Sequence, residues 1–241
     1  MSNTPERLDR LLSRLGYASR NEVRLVIKDG LISVNGIPAT SPAQKVLAAD
    51  VLFDGEPLEF PDGLTLIYHK PLGAVCSHKE SGRLIYDDFP EHWMLRKPTL
   101  SSVGRLDKET SGLLILTDDG VLNHHLTSPK HEISKTYRAV LDRPLNGNEA
   151  EIFASGTLML ESDDKPCLPA ELTVHGDKEI SLVLHEGRYH QVRRMFAAVD
   201  NHVNELTRTH IGALSLESTG LAPGGFEPIT PETLLARIEG R

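Results

Sequence analysis

Cysteine is nearly absent from this chain: Cys76 and Cys167 are the two among 241 residues. Two thiols so far apart make neither a disulfide framework nor a Cys-rich zinc site, so the simplest expectation is a cytoplasmic protein with reduced thiols. Long apolar runs are missing as well. No stretch approaches the ~18 residues that would span a bilayer, and Met1-Ser2-Asn3-Thr4-Pro5 lacks the basic-then-apolar pattern of a signal peptide. There is no Walker loop and no Gly-x-Gly-x-x-Gly, which removes the commonest nucleotide sites. Eleven histidines are present, yet none forms a His-x-x-x-His pair with a partner acid. His124 and His125 are adjacent and would point in different directions on a helix. No metal site is expected. The remaining composition, 39% hydrophobic and 25% charged, is that of an ordinary soluble chain of one or two domains.

Positive charge is also in short supply. The formal net charge is −8, which argues against a polyanionic partner if total charge is the measure. Placement tells a different story. From Arg7 to Asp29, six cations (Arg7, Arg10, Arg14, Arg20, Arg24, Lys28) face three anions (Asp9, Glu22, Asp29). Arg188, Arg193 and Arg194 form a second cluster, and Arg208 is expected near it.

Apolar periodicity divides the chain into two parts. Leu8, Leu11, Leu12 and Leu15 sit at helical spacing, and Gly16 is a natural stop. Ser19 and Glu22 match a capping box ahead of a second stripe, Val23, Val26 and Ile27, ended by Gly30. The arginines of both segments avoid the stripes. Leu31 to Val34 and the Asn35-Gly36 turn predict a hairpin, and Asp54-Gly55 predicts another turn. Residues 1–60 are therefore read as one small domain, Glu59 to Gly63 as a linker, and 61–241 as a second domain. In the second, Leu64, Leu66 and Tyr68 alternate as a strand, as do Ile180, Leu182 and Leu184. Thr136–Leu141 and Ala170–Val174 also read as strands. Val192, Met195, Phe196 and Val199 give a helical stripe, and Thr230-Pro231 caps a C-terminal helix. Many strands without a βαβ rhythm predict an α+β fold on a mainly antiparallel mixed sheet.

The segment Gly104-Arg105-Leu106-Asp107-Lys108-Glu109-Thr110-Ser111-Gly112 carries the chemistry. It places one carboxylate, Asp107, just ahead of the apolar run Leu113 to Leu116. A lone charge at the mouth of a buried strand is costly unless a cation answers it. An ionised carboxylate of this kind is a poor general acid but a competent nucleophile at a sugar carbon. From spacing alone, a turn-capping Asp is the more ordinary explanation.

The whole run from Gly104 to Gly120 resembles the catalytic motif of the RsuA/RluB branch of RNA pseudouridine synthases. That resemblance implies that Asp107 is the essential carboxylate of a cofactor-free isomerisation of uridine in RNA. Asp107 would act either by covalent attack or by promoting loss of a ribose proton. Tyr137, in Lys135-Thr136-Tyr137-Arg138, matches the family's active-site Tyr, suited to stack on an extruded base. Glu186 to Met195 matches the family's Arg segment, which makes Arg193 the first choice of cation paired with Asp107 and Arg188 the second. Arg105 and Thr110 are expected to position RNA or the catalytic loop. Leu206 matches an apolar position near the uracil, Lys70-Pro71-Leu72-Gly73 a structural motif, and Arg194 a phosphate contact or solvated face. Residues 5 to 60 resemble an S4 RNA-binding domain, whose two-helix face contacts RNA backbone. Within the family, the segments Glu186–Val199 and Asn201–Val203 look most like the enzymes acting on 16S rRNA of the small subunit, and the resemblance implies a monomer. A 23S rRNA enzyme of the same branch and a non-catalytic ribosome-assembly factor stay open as other readings. The overall acidity suggests that RNA contact is confined to one basic cleft, with few phosphates engaged.

Overall fold

The computed structural model describes residues 4–241, which fall into two compact units. The first contains the chain up to Thr65 together with Tyr86–Ser101 and Leu116–Gly120. Helix α1 (Leu8–Leu15) buries the expected leucines completely, and α2 (Val23–Lys28) buries Val23 fully and Val26 and Ile27 in part. These leucines pack with Val23, Ile32, Val34 and Val51. Gly16 closes α1 at positive φ, and a Cβ there would lie 1.9 Å from the carbonyl oxygen of His92, so only glycine fits. The capping box forms as expected: Ser19 N–H donates to Glu22 Oε2 at 2.8 Å, and Glu22 N–H donates to Ser19 Oγ at 3.4 Å. Strands β1 (Ile32–Val34), β2 (Ile37–Pro38), β3 (Val51–Phe53) and β4 (Glu56–Pro57) make a sheet of order β2-β1-β3-β4. Both of its tight turns, Asn35-Gly36 and Asp54-Gly55, have positive φ at both residues, the geometry that suits a two-residue hairpin.

Within the same unit, helix α3 (Glu91–Met94) and the residues after it clasp the Glu59–Gly63 segment. Arg96 is the centre of this clasp. Its Nε donates to Asp118 Oδ2 at 2.8 Å and its Nη2 to the Phe60 carbonyl at 2.8 Å. Asp118 Oδ1 accepts the Leu64 N–H at 2.8 Å. Glu59 accepts from the Trp93 indole at 2.7 Å and meets His92 Nε2 at 2.9 Å. The Arg96 and Asp118 side chains are 2% and 9% exposed. Each therefore depends on the other for solvation.

The second unit is built on a nine-stranded sheet. Its strands include β5 (Thr65–Lys70) and β6 (Ser111–Thr117), followed by helix α4 (Gly120–Thr127). Then come β7 (Lys135–Leu141), helix α5 (Glu149–Ala154), β8 (Glu171–Val174) and β9 (Glu179–Leu184). Helix α6 (Gln191–Ala197), β10 (Val203–Ile211), β11 (Phe226–Pro228) and helix α7 (Pro231–Glu239) complete it. The order is β8-β9-β7-β10-β6-β5-β11, with Ser101–Ser102 and Leu214–Ser215 added at β6 and β10. The β8–β9, β9–β7, β7–β10 and β5–β11 pairs are antiparallel, whereas β10 and β6 are parallel. The mixed, mostly antiparallel sheet of the α+β expectation is thus present. Strand β5 departs from the alternation expected of it: Leu66, Ile67 and Tyr68 are all buried. Interior strands covered on both faces read this way. One core lies under α5 and α6 around Phe153, Leu182, Met195 and Phe196. A second lies around Ile67, Leu113, Ile115, Leu234 and Ile238. Among the described residues, no helix is long and apolar enough to cross a membrane.

Arg96→Ala is expected to destabilise the protein by about 3–5 kcal/mol, because it strands the Asp118 carboxylate in a buried site. Denaturant unfolding followed through the single Trp93, which sits on the same clasp, measures this.

Candidate active site

The site begins at the parallel junction of β6 and β10, where Ser111 pairs with Thr207 and Gly112 with Arg208. The Ser111 and Thr207 hydroxyls meet at 2.8 Å. A Cβ on Gly112 would lie 2.2 Å from the Arg208 carbonyl oxygen, so this close approach requires glycine at its positive φ. The junction brings the loop preceding β6 alongside the strand that carries Leu206.

That loop holds Asp107, and each of its four carbonyls accepts a hydrogen bond. Asp107 O accepts from Thr110 N–H at 3.0 Å, and Lys108 O from Gly73 N–H at 2.9 Å. Glu109 O accepts from Arg193 Nη2 at 3.0 Å, and Thr110 O from Lys70 Nζ at 2.8 Å. Lys70 is fully buried and also donates to its neighbour's carbonyl, Pro71 O, at 3.1 Å. Burial pushes its ammonium below the ordinary lysine range, opposed by the negative potential of Cys76, Asp107 and Glu109. The Lys-Pro-x-Gly motif is therefore structural: Lys70 and Gly73 both anchor the loop that carries Asp107.

Asp107 lies in a small cavity of about 60 Å³ lined by Arg105, Thr110, Tyr137, His190 and Leu206, among others. Tyr137 comes from β7, at a register irregularity between Thr136 and Tyr137 against β10. Bulges of this kind re-aim side chains next to sites. Leu206, nearly buried, comes from β10 opposite Ala139. The sequence-predicted set Asp107, Tyr137, Leu206, Arg105 and Thr110 is thus brought together around one space.

The side chain facing the carboxylate is the His190 imidazole, whose Nε2 lies 3.4 Å from Asp107 Oδ1, with the side chains 36% and 29% exposed. His190 was missed by the sequence reading. It precedes α6 in a left-handed conformation, φ 49° and ψ 34°, a strain of about 1–2 kcal/mol for a residue with a Cβ. Gln191, buried next to it, accepts the Arg188 N–H at 3.0 Å and donates to Glu186 Oε1 at 2.7 Å, which fixes the turn. The Gly187-to-Gln191 run signals a turn into a helix, but which side chain turns toward Asp107 depends on that one positive φ.

A partly buried carboxylate, an aromatic ring and an apolar side chain around a narrow opening suit chemistry on an unstacked base and its sugar. Comparison with known proteins agrees. Residues 65–198 match the RNA pseudouridylate synthase family, and residues 6–52 match the S4 domain. The chain belongs to the RNA pseudouridylate synthase family. It is 39% identical over 96% of its length, and 100% of the relative's, to ribosomal small subunit pseudouridine synthase A of Escherichia coli. It is 37% identical, with coverage of 95% and 97%, to the protein of the same name from Pasteurella multocida. A crystal structure of a pseudouridylate synthase superposes with a TM-score of 0.67 at 35% identity, covering 96% of this chain and 99% of that one.

Four arginines of this synthase stand elsewhere than the sequence suggested. Arg193 does not pair with Asp107: its Nη1 donates to Val203 O at 2.6 Å and its Nη2 to Glu109 O. It is spent on backbone carbonyls and acts on the loop rather than on the carboxylate. Arg188, the second choice, is held by Asp163 at 2.9 Å and Glu186 at 3.0 Å, and by the carbonyls of Lys165 and Pro166. Arg194 is neither solvated nor free for phosphate. It pairs with Asp163 at 2.7 Å and reaches the Glu161 carbonyl. These two guanidiniums hold the Asp163 carboxyl below its usual range. Arg208 is 4% exposed and donates to Leu113 O at 2.7 Å, so it supports β6 from inside and presents nothing to a surface ligand. Among the described residues, its Nη2 and the Thr110 hydroxyl are the buried side-chain polar atoms without a hydrogen-bond partner.

The N-terminal cations fare better. Arg10, Arg20, Arg24 and Lys28 are exposed, Arg7 is exposed but paired with Asp9 at 2.7 Å, and Arg14 is half-buried between Glu6 and the Pro61 carbonyl. Arg10, Arg14 and Arg20 line a groove of about 510 Å³ with Lys97. Lys97 was not expected there; its N–H is bonded to Arg14 O at 2.9 Å.

Arg193→Ala is expected to lower kcat about 10²-fold, with a smaller change in KM, because a loop displaced by about 1 Å misplaces the carboxylate. Steady-state kinetics on an RNA substrate check this. Arg193→Lys should recover only part of the loss, since one ammonium does not span both carbonyls as a guanidinium does.

Proposed function

We propose that this synthase isomerises a specific uridine in 16S rRNA of the small ribosomal subunit, with Asp107 as the catalytic carboxylate. The observation that carries the reading is Asp107 itself, at the cavity shared with Tyr137 and Leu206. The near-full-length similarity to small-subunit enzymes supports the choice of RNA. In the reaction the N1–C1′ bond of uridine breaks, the uracil turns, and a C5–C1′ bond forms. The C5 hydrogen leaves as a proton and N1 gains one, so the product is an isomer and no co-reactant is consumed. Asp107 acts at the sugar, Tyr137 stacks on the extruded base, and Leu206 packs against it. Arg193 is a positioning residue. Arg105 and Thr110 shape the entrance, and Arg7, Arg10, Arg14, Arg20, Arg24 and Lys28 of the S4 unit meet RNA backbone. The enzyme works as a monomer in the cytoplasm, on rRNA free or in an assembly intermediate. Its net charge of −8 and the internal pairing of Arg188, Arg194 and Arg208 favour few phosphate contacts and a shallow dependence of affinity on salt.

Tritium release from C5-labelled uridine in 16S transcripts, bare and bound to ribosomal proteins, tests this reading. Forming the C5 bond must eject that hydrogen. Release by the wild type and none by Asp107→Asn is the expected outcome. Release by both proteins would overturn the role of Asp107. Release from 23S transcripts alone would overturn the choice of RNA.

A further inference from the structure

The side chain facing Asp107 carries a second ring on its back. Tyr189 and His190 stack with centroids 3.8 Å apart and planes 17° from parallel. Tyr189 is nevertheless 71% exposed. The stack on His190 covers one part of the ring and leaves the rest open to solvent at the edge of the site. His190 lines the Asp107 cavity on one side and, on the other, an open groove of about 600 Å³ with Ser162, Asp163, Tyr189, Arg194 and Ala198. The strained φ of His190 is what sets this pair between the two spaces, and strain of this kind collects at functional sites.

The chemistry of the groove selects among ligands. Its acid, Asp163, is answered by Arg188 and Arg194. Those two guanidiniums are in turn occupied by carboxylates and carbonyls, so the groove offers little to a phosphate. What it offers is an aromatic face, which accepts any nucleobase. We propose that the Tyr189–His190 pair is a stacking platform for the base of a nucleotide flanking the uridine held at Asp107. By stacking there, the neighbouring base would keep the RNA open while the target is extruded, so the pair sets substrate positioning and context preference. The proposal rests on the reading of the chain as a synthase acting on structured rRNA.

The test compares Tyr189→Phe, Tyr189→Leu and Tyr189→Ala with wild type, in two measurements on 16S transcripts. One is KM and kcat for tritium release. The other is Kd by filter binding in an Asp107→Asn background, which needs no turnover. Stacking predicts about a ten-fold rise in KM and Kd for Ala, the size expected for one base lost from an aromatic ring. Leu should fall between, Phe should stay within about two-fold of wild type, and the thermal midpoints should be unchanged, because the ring is exposed. Ala binding and turning over like wild type would overturn the platform, as would Phe falling with Ala, which would assign the effect to the hydroxyl. If wild type releases no tritium from 16S transcripts, the substrate reading fails. The binding arm still judges the platform on whichever of the 16S or 23S transcripts wild type binds more tightly.

Discussion

Four consecutive backbone carbonyls, from Asp107 to Thr110, set the geometry on which the rest of the site depends. Each accepts from a different place: the loop itself, the Gly73 amide, the Arg193 guanidinium and the buried Lys70 ammonium. A neutral hydrogen bond is worth about 0.5–1.5 kcal/mol net and one from a charged donor about 1.5–3. Four such restraints on four residues leave a loop little freedom. Two of the donors come from the end of β5 and the turn after it, and one from α6, so the loop is the place where separate elements of the second unit agree on a position. Gly112 completes the arrangement by letting β6 lie against Arg208 with no side chain between.

The cations of this protein are accordingly divided by task. Lys70, Arg193 and Arg208 are inward-facing and bonded to carbonyls, which fixes the backbone around Asp107 and β6. Arg188 and Arg194 are tied to Asp163 and the preceding loop. Cations that remain open to a polyanion are concentrated on the first unit, around α1, α2 and Lys97. This division accounts for how an acidic chain belongs to a family that works on RNA: net charge counts the structural cations and their partner acids equally, whereas a ligand meets only the open ones. It also explains why the carboxylate's neighbour is a half-exposed histidine rather than a guanidinium, since the guanidinium at hand is already committed to the backbone.

What could be read from the sequence was what is local. The Ser19/Glu22 capping box, the Asn35-Gly36 and Asp54-Gly55 turns, the Thr230 cap and the buried strand after Asp107 all depend on residues within a few positions of one another. The family motif likewise drew Asp107, Tyr137 and Leu206 to one cavity from three distant segments. Orientation of long side chains was not legible. Arg193 was expected at Asp107 and is bonded instead to the carbonyl of Glu109, two residues on; Arg208 was counted with a surface cluster and is buried. A guanidinium reaches far enough that neither spacing nor helical phase decides its partner. The placement of His190 depends on one backbone dihedral, and the Arg96–Asp118 pair joins residues 22 positions apart in sequence.

The most direct test of this account is a double-mutant cycle on turnover with Lys70→Met and Arg193→Ala. If the two cations act by holding one loop, their effects are not independent, and the double variant should be no slower in kcat than the slower single variant by more than a few-fold. Logarithmic losses that simply add would contradict the account, because they would mean that Lys70 and Arg193 serve the reaction separately.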